Sequence, residues 1–221
     1  MEINQVHGPW RWPVQDSTAE DREERMEKMK KSIRLTSAIG CKYWVIHPIM
    51  PFGLEDNGTE LAKNTWDMNI EFMTELVKTA KEYNVVICLE NMPMLDFSLS
   101  TPEDILRFVR TIYDDNFKIC LDTGHVSAFN NLNLADEVRR LGKEIKVMHI
   151  HDTKQSRDLH LMPYFGRTDW DDFAKALGEV GYEGVFSLET APASRLPDYI
   201  YEPMCKLLFD IAKEVAMKIV R

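Results

Sequence analysis

Six times along the chain a short apolar, β-branched run ends in a polar residue able to do chemistry. Each run gives way to a loop and then to a stretch with apolar residues three and four apart. The runs are Ile3 to His7, Tyr43 to His47, Val85 to Glu90, Phe117 to Asp122, Ile145 to His149 and Val185 to Glu189. Near-continuous apolar runs suit strands buried on both faces, and the three-and-four spacing suits amphipathic helices that cover them. Ser17-Thr18-Ala19-Glu20 and Thr101-Pro102-Glu103-Asp104 read as helix starts, in which a hydroxyl accepts a free N–H of the first turn and the acid reaches back. Leu61, Met68, Phe72, Leu76 and Ala80 hold one helical face before Tyr83-Asn84 ends it, and Leu207, Ile211, Val215 and Ile219 do the same in the last helix. The pattern predicts parallel strands covered by helices, an α/β fold. No linker, low-complexity tract or composition shift divides the chain, so residues 1–221 are expected to form a single domain.

The alternation fits a doubly wound sheet or a closed β/α barrel. A doubly wound sheet binds its ligand at one switch point, often through a glycine-rich phosphate loop, and no GxGxxG or P-loop occurs here. All six runs instead finish in His, Asp or Glu. Only in a barrel do the carboxyl ends of every strand converge on one mouth, so the barrel is the expected architecture. At 221 residues the chain is shorter than the ~250 of an ordinary eight-unit barrel.

Composition narrows the partners. With 27 basic against 36 acidic residues the net charge is −9, which disfavours nucleic acid as a partner. Cys41, Cys88, Cys120 and Cys205 form no CxxC and three sit in or beside apolar runs, the pattern of free thiols in a reducing compartment. Met1-Glu2-Ile3-Asn4 has no basic start and no apolar core follows it, so no signal peptide is expected. No apolar run approaches the ~18–20 residues of a membrane span, and a cytoplasmic protein without membrane contact is expected.

The residues able to do chemistry are His7, His47, Glu90, Asp122, His125, His149, Asp152, Asp158, His160 and Glu189, in that order. Singly, each is weak evidence. A strand-end histidine is more often hydrogen-bonded structure than a ligand, and a carboxylate there is often a helix cap. Together they carry weight. Several carboxylates in one mouth repel one another and lose hydration unless cations neutralise them. Oxygen mixed with imidazole suits Mn, Mg, Co, Fe or Zn, and the lack of thiolate ligands argues against a structural zinc site. Trp10, Trp12, Phe52, Phe97, Phe165 and Trp170 lie near the strand ends, where they would either stack on a sugar or pack the loops.

The ordered set His-Gly-Pro, His-Pro, Leu-Glu-Asn, Leu-Asp-Thr-Gly-His, His-x-His-Asp, Asp-x-His and a late Leu-Glu resembles the xylose-isomerase-like TIM barrel superfamily. That group holds sugar and sugar-phosphate isomerases and epimerases, inosose dehydratases and endonucleases of the endonuclease IV type. The resemblance implies a single divalent metal (Mn, Mg, Co or Zn) on Glu90, Asp122, His149 and Glu189, with His149 preferred over His151. It implies Glu90 and Glu189 as the acid/base pair, and His7, His47, His125, Asp158 and His160 as substrate-binding residues. The implied activity is isomerisation or epimerisation of a small carbohydrate, by α-proton abstraction through a metal-stabilised enediolate.

The rival reading is an endonuclease IV-like phosphodiesterase, since His7, His47, Glu90, Asp122, His125, His149, Asp158, His160 and Glu189 match the nine ligand positions of a three-zinc site. Against it stand the acidic charge and the segments 48–58, 91–100 and 127–133, which carry no Lys or Arg. The same residues are compatible with a dehydratase or lyase of that superfamily, and with a non-catalytic truncated barrel. In the family the strand ending at His7 is normally the third, so a six-strand barrel lacking the first two β/α units is expected. A homo-oligomer would then cover its open edge.

Overall fold

Parallel pairing links the first strands in chain order. In the computed structural model, which describes residues 2–9, 18–50, 55–154, 157–190 and 196–219, β1 (Gln5–His7) pairs with β2 (Tyr43–Ile46) and β2 pairs with β3 (Val86–Glu90). β3 in turn pairs with β4 (Phe117–Asp122). The register puts Val6, Trp44, Ile87 and Phe117 in one row. Trp44, Ile87 and Phe117 are fully buried, as expected for strands covered on both faces. The chain divides into two compact units, Met1–Cys120 and Leu121–Arg221.

In the first unit the strands are connected by α1 (Ala19–Ala38), α2 (Leu61–Glu82) and α3 (Pro102–Ile112). α1 buries Arg25, Met29, Ile33 and Thr36, at steps of four and three. α2 buries Phe72, Leu76 and Ala80 as the periodicity predicts, but Leu61 at its start is exposed and Met68 is half-buried. It ends at Tyr83, with Asn84 in the left-handed region at φ +53°. The expected capping box stands at Thr101, where its hydroxyl accepts from Asp104 N and the Asp104 carboxylate accepts from Thr101 N. At α1 the cap is Thr18, which accepts from Asp21 N; Ser17 lies outside the described residues.

The second unit holds α4 (Thr123–Ala128), α5 (Leu134–Leu141), β5 (Ile145–His149), α6 (Trp170–Val180) and α7 (Asp198–Met217). α7 buries Leu208 and Val215, whereas Leu207, placed on the inner face by the sequence pattern, is exposed. Among the described residues there are five strands, not the six expected. The run Val185 to Glu189 forms a single bridge, Ile150 to Leu188, made by Ile150 N donating to Ser187 O and Glu189 N donating to Ile150 O. Val185 is exposed and the next residues are half-buried, so the run lacks the two covered faces that would extend the ladder. Among the described residues no helix is long and apolar enough to cross a membrane.

One buried carboxylate organises the long connection from β5 to α6. Asp152 is fully buried, and its two oxygens accept from Thr153 N, Gly166 N, Arg167 N, Thr168 N and Trp170 Nε1 at 2.9 to 3.2 Å. Its backbone exchanges both hydrogen bonds with Leu161. Gly166 has no room for a side chain, because a Cβ would overlap the Asp152 carboxylate. Removing the carboxylate strands several buried N–H donors, each worth ~1–3 kcal/mol when left unsatisfied. Asp152→Ala is therefore expected to lower unfolding stability by at least ~3 kcal/mol. An unchanged urea midpoint for this variant would show that the loop is held by other means.

Candidate metal centre

In the first unit three ligand-type atoms converge. His7 stands at the end of β1, His47 follows β2 directly, and Glu90 closes β3, so adjacent parallel strands carry them to neighbouring positions. His7 Nε2 lies 3.3 Å from His47 Nε2, and the two are 3.4 and 3.2 Å from Glu90 Oε2. Ligand atoms bound at 2.0–2.2 Å around a tetrahedral ion lie ~3.3–3.6 Å apart, so the triangle has the dimensions of three corners of such a site. The tautomer fits as well. His7 Nδ1 stands 2.8 Å from Gly8 O, and donating there leaves Nε2 with a lone pair turned to the triangle. Glu90 is 1% exposed, so its charge has little help from water.

In the second unit Asp122, His149 and Glu189 each bring a ligand atom within 4.8 Å of the others. Three of the four metal ligands implied by sequence therefore meet, and Glu90, the fourth, belongs to the first unit. His149 Nδ1 is 2.6 Å from Glu189 Oε2. His149 is buried, whereas the Glu189 side chain is 42% exposed, the accessible end of the pair. Asp122 is fully buried and serves twice more: Oδ1 caps α4 by accepting from His125 N at 2.7 Å, and Oδ2 lies 3.0 Å from His151 Nε2.

A further group sits on the Asp152-anchored loop. His125 Nε2 and His160 Nε2 both face Asp158 Oδ2, at 3.4 and 3.1 Å. Burial would raise the Asp158 carboxyl, but the hydrogen bonds from His125 and His160 outweigh it and hold Asp158 well below the usual carboxylate range. The Asp158 hydrogen bond pushes His160 up to about 9, against the opposing effect of burial and with help from the Glu189 carbonyl. His160 Nδ1 meets that carbonyl at 2.8 Å, so both ring nitrogens donate when the ring is protonated. These contacts hold His160 at φ +47°, a conformation that non-glycine residues seldom adopt.

Sequence favours His149 over His151, yet His151 lies at the centre of this unit. It is fully buried, stacks on His160 with ring centroids 4.2 Å apart, and has its backbone N–H and C=O both bonded to the Thr123 hydroxyl. Gly124 is the residue that sequence missed: a Cβ there would fall inside the His151 ring. The Thr-Gly-His spacing was the available signal, since glycine permits close approach. Among the aromatic candidates, Phe97 and Trp170 are buried, Trp170 with its indole N–H on Asp152, and so serve as packing. Phe165 is exposed, and Trp10, Trp12 and Phe52 lie outside the described residues.

The donor set fits a divalent cation: imidazole nitrogen and carboxylate oxygen, with tautomers fixed by carbonyl and carboxylate neighbours. Zinc added to metal-free protein is expected to bind, and His149→Ala to weaken it by at least ~10-fold. Competition with a chromophoric chelator measures this; equal zinc stoichiometry and affinity in both proteins would rule out the Asp122/His149/Glu189 group as the metal site.

Comparison with known proteins places these features in context. The profile of a family described as xylose isomerase-like TIM barrel matches residues 1–207. D-psicose 3-epimerase of Enterocloster bolteae is 33% identical over 118 residues, covering 53% of this chain and 37% of that protein. A probable endonuclease 4 of Mycoplasmopsis agalactiae is 26% identical over 218 residues, covering 93% of this chain and 74% of that protein. The crystal structure of a D-tagatose 3-epimerase-like protein superposes with a TM-score of 0.74 at 26% identity, covering 96% of this chain and 79% of that one. The chain spans between 37% and 62% of the length of the first curated relatives it matches.

Proposed function

Since the chain belongs to the xylose isomerase-like TIM barrel family, we propose that it is a divalent-metal-dependent isomerase or epimerase of a sugar or sugar phosphate. The observation that carries this reading is the Glu189 side chain, 42% exposed overall, whose Oε2 lies 2.6 Å from Nδ1 of the buried His149. The ligand set proposed for the metal is Glu90, Asp122, His149 and Glu189. When bound, a divalent cation polarises a carbonyl oxygen and stabilises the negative charge that develops there.

The chain's own residues then have distinct tasks. Glu189 takes the proton from the carbon next to the carbonyl, and His149 fixes the direction from which it does so. Glu90 is its acid/base partner. Reprotonation at the same carbon from the opposite face gives an epimer; reprotonation at the neighbouring carbon gives an aldose–ketose isomer. His7, His47, His125, Asp158 and His160 are proposed to bind substrate oxygens.

Incubation of the metal-loaded protein with ketoses, aldoses and their phosphates in deuterated water is expected to exchange an α-proton. Glu189→Gln is expected to slow that exchange by at least ~100-fold, the usual contribution of a positioned base. Absence of exchange across a broad panel would defeat the isomerase reading.

A second reading, phosphodiester hydrolysis on several zinc ions, is favoured by the His7/His47/Glu90 triangle and by the Asp158 group with its two imidazoles. Elemental analysis separates the two: about three zinc ions per chain support the hydrolase, and a single ion supports the isomerase.

A further inference from the structure

Three consecutive residues of the second unit, Asp122, Thr123 and Gly124, all meet His151, each in a different way. His151 Nε2 is shared by the two Asp122 oxygens, 2.9 Å from Oδ1 and 3.0 Å from Oδ2. The Thr123 hydroxyl accepts from His151 N at 3.0 Å and donates to His151 O at 2.7 Å, with His149 O beside it at 3.4 Å. Gly124 supplies the room, since a Cβ there would overlap Cε1 and Nδ1 of the ring. Its φ is not positive, so its helical backbone suits any residue, and clearance for the ring is what the glycine provides.

The two ring nitrogens of His151 are placed unlike one another. Nε2 faces the Asp122 carboxylate and, at 3.8 Å, Asp158 Oδ1. Nδ1 is buried beside Gly124 and meets no hydrogen-bond partner among the described residues. A hydrogen on Nδ1 would be enclosed with no acceptor, so the ring carries it on Nε2 and donates to Asp122. The ring plane is fixed in turn. His160 stacks on it with centroids 4.2 Å apart and planes 15° from parallel, and His125 meets it edge-on at 5.7 Å. Asp122 Oδ1 also accepts from His125 N at 2.7 Å, so donors from α4 and from the segment after β5 together fix the rotation of the carboxylate. A carboxylate offers about four acceptor sites, so being held this way is compatible with ligating an ion.

We propose that His151 is a positioning residue of the metal centre: its Nε2–H holds the Asp122 carboxylate in the orientation that ligates, while Thr123 seats its backbone and Gly124 its ring. This rests on the reading in which Asp122 is a metal ligand, and extends it to a side chain that touches neither ion nor substrate. A carboxylate able to turn would have to be ordered by the ion itself, which lowers affinity.

Zinc titration against a chromophoric chelator, run on the metal-free protein and its variants, tests the assignment. His151→Phe keeps a ring able to stack on His160 and removes the donor; zinc is expected to bind ~10–100-fold more weakly, the usual cost of losing such a partner. His151→Gln retains an N–H and is expected to recover part of that loss. Gly124→Ala removes no polar group, yet is expected to weaken zinc because the ring must move off Asp122. A ring that merely filled space would give the reverse order, with Phe tolerated and Gln not. Parental zinc affinity in His151→Phe would overturn the proposal. So would the loss of one whole zinc equivalent with any other bound as before, which would make His151 a ligand. Should His151→Phe fail to fold, parental affinity in Gly124→Ala overturns it instead. His149→Ala separates the two levels. Zinc that depends on His149 but not on His151 defeats this inference alone, whereas zinc that depends on neither defeats the choice of Asp122, His149 and Glu189 as ligands.

Discussion

Charge buried at the carboxyl ends of parallel strands is the constraint to which the rest of the molecule answers. Glu90, Asp122 and Asp152 are all but inaccessible to water, and the imidazoles of His149 and His151 are nearly so. An isolated carboxylate in such surroundings would take up a proton or open the structure. Each is handled differently. Asp152 is met by five N–H groups and becomes structure. Asp122 divides itself between a helix cap and His151. Glu90 faces two imidazoles whose spacing suits an ion. Carboxylates at or just beyond strand ends thus divide into scaffold and site by what surrounds them.

The division of labour follows the strength of local pinning. The loop after β5 carries Asp158 and His160, groups that must hold their positions to bind anything. A loop of that length would ordinarily be mobile. Asp152 ties it at Leu161 and again at Gly166 to Thr168, and the missing side chain of Gly166 permits the approach. His160 keeps an unfavourable backbone angle because both of its ring nitrogens are engaged. Strain held this way at a cluster of polar groups fits a site, where order matters more than local stability.

The chemistry proposed for this chain needs an exposed base beside buried, oriented partners. Glu189 has that character, its side chain partly exposed while that of His149 is enclosed. It lies in the segment that failed to extend into a sixth strand. A fully laddered strand covered on both faces would have closed over this stretch, so the shortfall in regular structure goes with a partly exposed Glu189 side chain.

Much of this was legible in the sequence, for physical reasons. Period and burial are linked, so the first five apolar runs mark strands to within a residue or two, and the Thr101 capping box follows from local hydrogen bonding alone. The strand-end residues likewise name side chains whose chemistry suits ligation. Tertiary structure decided what pattern could not express. That Asp152 is scaffold depends on N–H groups 14 to 18 residues away, and that His151 rather than solvent fills the space over Gly124 depends on a contact 27 residues away. The sixth run has the composition of a strand, but a ladder needs a partner and two covered faces, and those are properties of the folded neighbourhood rather than of the run.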